Sequence, residues 1–192
     1  MGRVAVGGGA LLVPASGLSA FTGVAAAATL PDADLAYLRL LVAAELLAAD
    51  FQATALASRK LRHGGGRAVF GRMRADEEAH YTQLAQLLTD AGQTPATADD
   101  INFSYPKGSF RSEASIVKLG GRLEHLMVAA YVGAIQDVQT PALRLSLGQI
   151  AGNEAQHASA LAALAGRPVV GAAFAPVLSM AAVSDALDEF ES

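Results

Sequence analysis

Apolar residues run almost unbroken over positions 35–61, behind Pro31-Asp32-Ala33-Asp34. A proline, a cap-forming aspartate and early acidic residues predict a helix start there. Arg62, His63 and the glycines Gly64, Gly65 and Gly66 predict its end. A second helix is expected over 67–91, stopped by Gly92. The connecting turn is short, so these helices should be antiparallel neighbours. Over 93–110 the helical pattern lapses, punctuated by Pro95, Asn102, Pro106 and Gly108. Ile101, Phe103, Tyr105 and Phe110 can pin that segment to a core. The third helix is expected over 112–139, with Ser112 as its cap. Thr140-Pro141 suits the start of a fourth, which runs to Ala165 before Gly166 and Pro168. A short last helix is expected over 179–190, capped by Ser179 or Ser184. The prediction is an all-α fold of four long helices, with a long crossover between helices two and three and a short C-terminal helix.

Within this apolar pattern the ionisable residues stand out, and they repeat. Glu45 lies among Leu40, Leu41, Val42, Ala43, Ala44, Leu46 and Leu47, and the next helix carries Glu77 and His80. Glu124 lies beside Leu123, Leu126, Met127 and Val128, and the helix after it carries Glu154 and His157. Aligning His80 with His157 also aligns Leu84 with Leu161, Leu87 with Leu164, and Thr82 with Ser159. Residues three apart share a helix face, so each Glu-x-x-His pair can point one way. The leucines two turns further on continue that face as a core face.

Carboxylates taken out of water destabilise a fold by several kcal/mol each unless compensated. Four of them on apolar helices would also repel one another. Two divalent cations offset that charge, with one imidazole for each. The donor set is hard, which favours iron, with manganese as the alternative, over structural zinc. A bridging carboxylate can hold such ions about 3.5–4 Å apart. The candidate ligands are therefore Glu45, Glu77, His80, Glu124, Glu154 and His157. Around them, Asp76 and Asn153 each precede a motif glutamate and are candidates to orient the imidazoles. Gln52 follows Glu45 by two turns and Tyr131 follows Glu124 by two turns; either can face the site, and Tyr131 reads first as a core aromatic. Glu78 and His125 are rotated away from the ligand face.

Composition narrows the picture further. The chain of 192 residues is long enough for one domain with a sizeable core, and 52% hydrophobic residues can fill it. A net charge of -4 without a basic cluster argues against nucleic acid as a partner. There is no cysteine, which excludes disulfides, thiolate zinc sites and iron–sulfur clusters. Residues 1–29 read as an export signal, with a disordered Gly/Ala-rich tail as the alternative: Arg3, a weakly apolar run over 4–13, Pro14, and an Ala-x-Ala ending at Val24-Ala25-Ala26-Ala27-Ala28. The low hydrophobicity resembles twin-arginine signals, although the arginine pair is missing. Pro14, Ser16, Gly17 and Ser19 interrupt the run, which argues against a lasting membrane anchor. The expectation is a periplasmic or extracellular domain from residue 30 to 192, with a cytoplasmic location as the alternative.

A Glu from each of two helices plus Glu-x-x-His from each of the other two is the pattern of ferritin-like di-iron and di-manganese bundles. The segments around Ala44-Glu45-Leu46-Leu47, Asp76-Glu77-Glu78-Ala79-His80, Leu123-Glu124 and Asn153-Glu154-Ala155-Gln156-His157 resemble the bacterial ferritin-like family related to desiccation-related proteins. The resemblance covers about 35–174. It implies a ferritin-like four-helix bundle in which Glu77 and Glu154 bridge two metals. Glu45 and Glu124 would then be terminal, and His80 and His157 would take one metal each. The resemblance defines the fold better than the reaction; the paired ligand set itself leads to the expectation of a protein that reacts with dioxygen or peroxide, as ferroxidase or peroxide scavenger, with an external electron donor. The competing expectation is a non-catalytic, metal-binding stress protein. A homo-oligomer is compatible with either.

Overall fold

The computed structural model describes residues 30–61 and 65–191. The predicted export segment, Arg62 and His63 lie outside them. The described residues form α1 (Asp32–Ala57), α2 (Gly65–Asp90), α3 (Glu113–Asp137), α4 (Pro141–Leu164) and α5 (Met180–Asp188). The crossover between α2 and α3 contains one 3-10 turn, Ala98–Asp100. Among the described residues the only β feature is an isolated antiparallel bridge between Phe103 and Glu191. The described part of the chain is thus all-helical, with the long crossover and short last helix that the hydrophobic pattern predicts.

α1 packs with α2, and α3 with α4, as two hairpins; the hairpins meet through α1 against α3 and α2 against α4. α5 lies against α1 and α3. Among the described residues α1 alone would pass for a membrane span by length and hydropathy, but Leu38, Leu41, Val42 and Phe51 are buried in the bundle core.

Local chemistry sets the ends. α1 stops at Ala57, short of the expected 61. The Ser58 hydroxyl donates to the Ala55 carbonyl and accepts from the Lys60 N–H, and Arg59 adopts a φ of 58°. That side-chain competition with the backbone ends the helix before the glycines are reached. Conversely α2 begins at Gly65, ahead of the expected 67. Ser112 and Ser115 form a reciprocal cap on α3, and Ser179 caps α5. Asp34, expected only as a favourable early helix charge, is fully buried and accepts from the N–H groups of Gln139 and Thr140 at 2.7 and 2.9 Å. It ties the start of α1 to the α3–α4 turn.

The crossover is pinned by its aromatics. The Tyr105 hydroxyl donates to Asp50 on α1 at 2.7 Å, and Phe51, Tyr105 and Phe110 pack ring against ring. Tyr81 on α2 donates to the Ala96 carbonyl at 3.1 Å. The segment between α4 and α5 returns along α3, where the Leu178 N–H donates to the Ala129 carbonyl at 3.2 Å. The approach needs Gly133, because a Cβ there would lie 1.9 Å from the Leu178 carbonyl oxygen. Gly133→Ala should therefore force the returning backbone off α3 and lower stability by about 1–3 kcal/mol, read from urea unfolding. Unchanged stability would show that this close approach is dispensable.

Candidate metal centre

Each helix of the bundle contributes to one buried cluster. α1 supplies Glu45, α2 supplies Glu77 and His80, α3 supplies Glu124, and α4 supplies Glu154 and His157. All four glutamates are 0% exposed. The ligand atoms fall into two groups: Glu45, Glu77, His80 and Glu154, and Glu77, Glu124, Glu154 and His157. Within each group the atoms lie within 4.8 Å of one another. Glu77 and Glu154 belong to both. The i,i+3 spacing brings the two parts of each Glu-x-x-His pair together, with Nδ1 of both histidines 3.3 Å from a carboxylate oxygen of its own pair.

The fit to metal can be judged from what these atoms lack. Glu45 Oε2, both oxygens of Glu77, Glu124 Oε2, Glu154 Oε1 and His80 Nδ1 are buried without a hydrogen-bond partner. Buried polar groups are paired in the great majority of folded proteins, so such a concentration calls for an explanation. His80 Nδ1 lies 2.9 Å from Glu154 Oε1 yet outside hydrogen-bond geometry. Apart from His157 Nδ1, which hydrogen-bonds Glu154 Oε2 at 3.3 Å, these ligand atoms converge in two groups instead of pairing off. Four carboxylates and two imidazoles so arranged fit a pair of divalent cations in both charge and ligand type.

The surrounding polar residues reach across the bundle. Gln52 on α1 donates to Glu124 Oε1 on α3 at 3.1 Å. Tyr131 on α3 donates through its hydroxyl to Glu45 Oε1 on α1. Tyr131 is thus a buried core aromatic and a partner of a candidate ligand at once. Asp76 lies four residues before His80, but its Oδ2 meets His157 Nε2 on the other hairpin at 3.4 Å. Asn153 is half-buried and its side chain makes no hydrogen bond among the described residues. Glu78 is exposed and pairs with Arg74, and His125 is exposed.

The side chains of the cluster shift one another's proton affinities strongly and in opposite directions. Burial, with repulsion from Glu154 and Glu77, pushes the carboxyls of Glu45 and Glu124 well above the usual range, against the pull of His80 and His157. Burial opposes charge on His80, but Glu154, Glu45 and Glu77 outweigh it and raise the imidazole to about 12. Burial is likewise overcome at His157, which Glu124, Glu154 and Glu77 raise. Burial also works against ionised Glu154, yet His157 and His80 bring it down to about 2.

Fold and cluster together define a helical bundle of the ferritin-like class with buried carboxylate–histidine groups compatible with a two-metal site. Comparison with known families matches residues 33–167 to the ferritin-like domain, and the chain belongs to that family. Among solved structures, a hypothetical protein from Methanococcus jannaschii DSM 2661 superposes with a TM-score of 0.58 at 16% identity, over 79% of this chain and 90% of that one. That likeness bears on the fold alone. No curated protein matches the sequence.

The direction of the histidine shifts predicts proton-coupled metal binding. A raised imidazole holds its proton through neutral pH, and a metal at Nδ1 must displace it. Uptake should therefore release protons, and apparent affinity should rise between about pH 6 and about pH 8. Calorimetry of manganese binding in buffers of different ionisation enthalpy reads this directly. Binding without proton release would mean the histidines are not displaced.

Proposed function

We propose that the chain is a non-haem carboxylate protein that holds two iron ions, or two manganese ions, and reacts with dioxygen or peroxide. The observation that carries this reading is the sharing of Glu77 and Glu154 by both ligand groups. In this reading Glu77 and Glu154 would be shared between the two ions, with Glu45 and His80 helping to hold one and Glu124 and His157 the other. Iron held by these residues would supply the electrons for reducing such an oxidant, the chemistry of a ferroxidase or a peroxide scavenger. The protein's own part is to bind, to offset charge and to orient. Tyr131 and Gln52 each occupy Oε1 of a terminal glutamate, leaving Oε2 of Glu45 and of Glu124 for a cation. The absence of cysteine means that electrons for repeated turnover come from an external donor.

A second reading is a metal-stabilised stress or binding protein without turnover. It is favoured by the complete burial of all four glutamates, which suits a centre that cements the bundle. One experiment separates the two: anaerobic ferrous titration, then exposure to oxygen or peroxide with a reductant present. Two irons per chain with repeated oxidant consumption support the first reading. Two irons without consumption support the second. Glu77→Ala and Glu154→Ala should each lose stoichiometric binding, and full retention in both would remove the site.

Export of the mature domain belongs to the same proposal and rests on the sequence of residues 1–29. N-terminal sequencing of secreted protein should begin near Leu30, whereas protein retained in the cytoplasm with Met1 intact would overturn export.

A further inference from the structure

We propose that the two halves of the centre are unequal, and that the half containing Glu124 and His157 fills first. This inference rests on the two-metal reading above and adds an order of filling to it.

The halves match in most respects. Each has a terminal glutamate held at Oε1 by a neutral donor from the facing helix, Tyr131 for Glu45 and Gln52 for Glu124. Each shares Glu77 and Glu154. They differ behind the imidazoles. Asp76 Oδ2 sits 3.4 Å from His157 Nε2, the nitrogen turned away from the cluster. Asp76 is itself fixed by Arg72, with contacts of 2.8 and 2.6 Å to its two oxygens. Arg72 is 77% exposed, so solvent screens its charge while its fork still positions the carboxylate. The corresponding residue on α4 is Asn153, whose side chain carries no charge and makes no hydrogen bond among the described residues. Among the described residues no carboxylate lies behind His80 as Asp76 lies behind His157, and the His80 side chain is 11% exposed against 5% for His157.

A carboxylate behind a metal-binding histidine fixes the ring, holds the proton on the outer nitrogen and adds negative charge near the cation. Loss of such a partner typically weakens metal affinity by about 10–100-fold. His157 has this support and His80 does not. The first cation should therefore settle between Glu124, His157 and the shared glutamates, and the second should enter beside Glu45 and His80.

Manganese titration of the full chain, followed by electron paramagnetic resonance and calorimetry, tests the order without reference to activity. One equivalent should give an isolated-ion spectrum, and the second should convert it to a coupled pair in a weaker step. Asp76→Asn should weaken the first step by about 10–100-fold and bring the two steps together. Asn153→Asp, which leaves Asp76 intact, should instead tighten the second step. Circular dichroism of both variants separates a binding effect from loss of fold. Two equivalents entering as a coupled pair from the outset, or Asp76→Asn leaving the first step unchanged, would overturn the inequality while keeping the two-metal reading. No manganese bound by the unaltered chain would overturn both.

Discussion

Four glutamates at 0% exposure in an alanine- and leucine-rich bundle set the terms for everything else in this molecule. An ionised carboxylate loses several kcal/mol of hydration on burial, and four together repel at short range. Helix propensity and apolar packing would form the hairpins without these residues. What the glutamates add is a requirement that counter-charge be present at the centre. Two histidines meet part of it, as their raised proton affinities show. The unpartnered oxygens of Glu45, Glu77, Glu124 and Glu154 mark what remains unmet.

That requirement also explains the direction of the polar contacts around the cluster. Gln52, Tyr131 and Asp76 each reach from one hairpin to a candidate ligand on the other. The hairpins are thereby joined at their most polar point as well as through their apolar faces. A ligand whose orientation depends on the opposite hairpin is well placed only once both have docked. Packing and site geometry are in this sense one problem.

Much of this was legible in the sequence, and what was not has identifiable causes. The helices and their i,i+3 pairs follow from local periodicity, which needs no tertiary information. The isolation of Glu45 and Glu124 among leucines announces their burial. The resemblance to ferritin-like chains supplied the topology, and the family match over 33–167 agrees with it. Cross-hairpin partners were harder to read. Asp76 stands on the same helix as His80, and spacing alone pairs those two, whereas the fold turns Asp76 toward His157. Asp34 looked like an ordinary helix-start acid, and its role at the α3–α4 turn depends on packing far away in sequence. The early end of α1 was obscured because the glycines beyond it are the stronger stop signal.

The crossover between α2 and α3 does more than close the bundle. Two separate copies of one hairpin, paired about a two-fold axis, would be bound by symmetry to carry identical residues at matching positions. A substitution that suited one half would be imposed on the other. Joined in a single chain, the hairpins are released from that constraint. Position 76 can be aspartate while 153 is asparagine, and 131 can be tyrosine while 52 is glutamine. Covalent linkage thus lets one repeated motif hold two chemically individual neighbourhoods around a shared pair of glutamates.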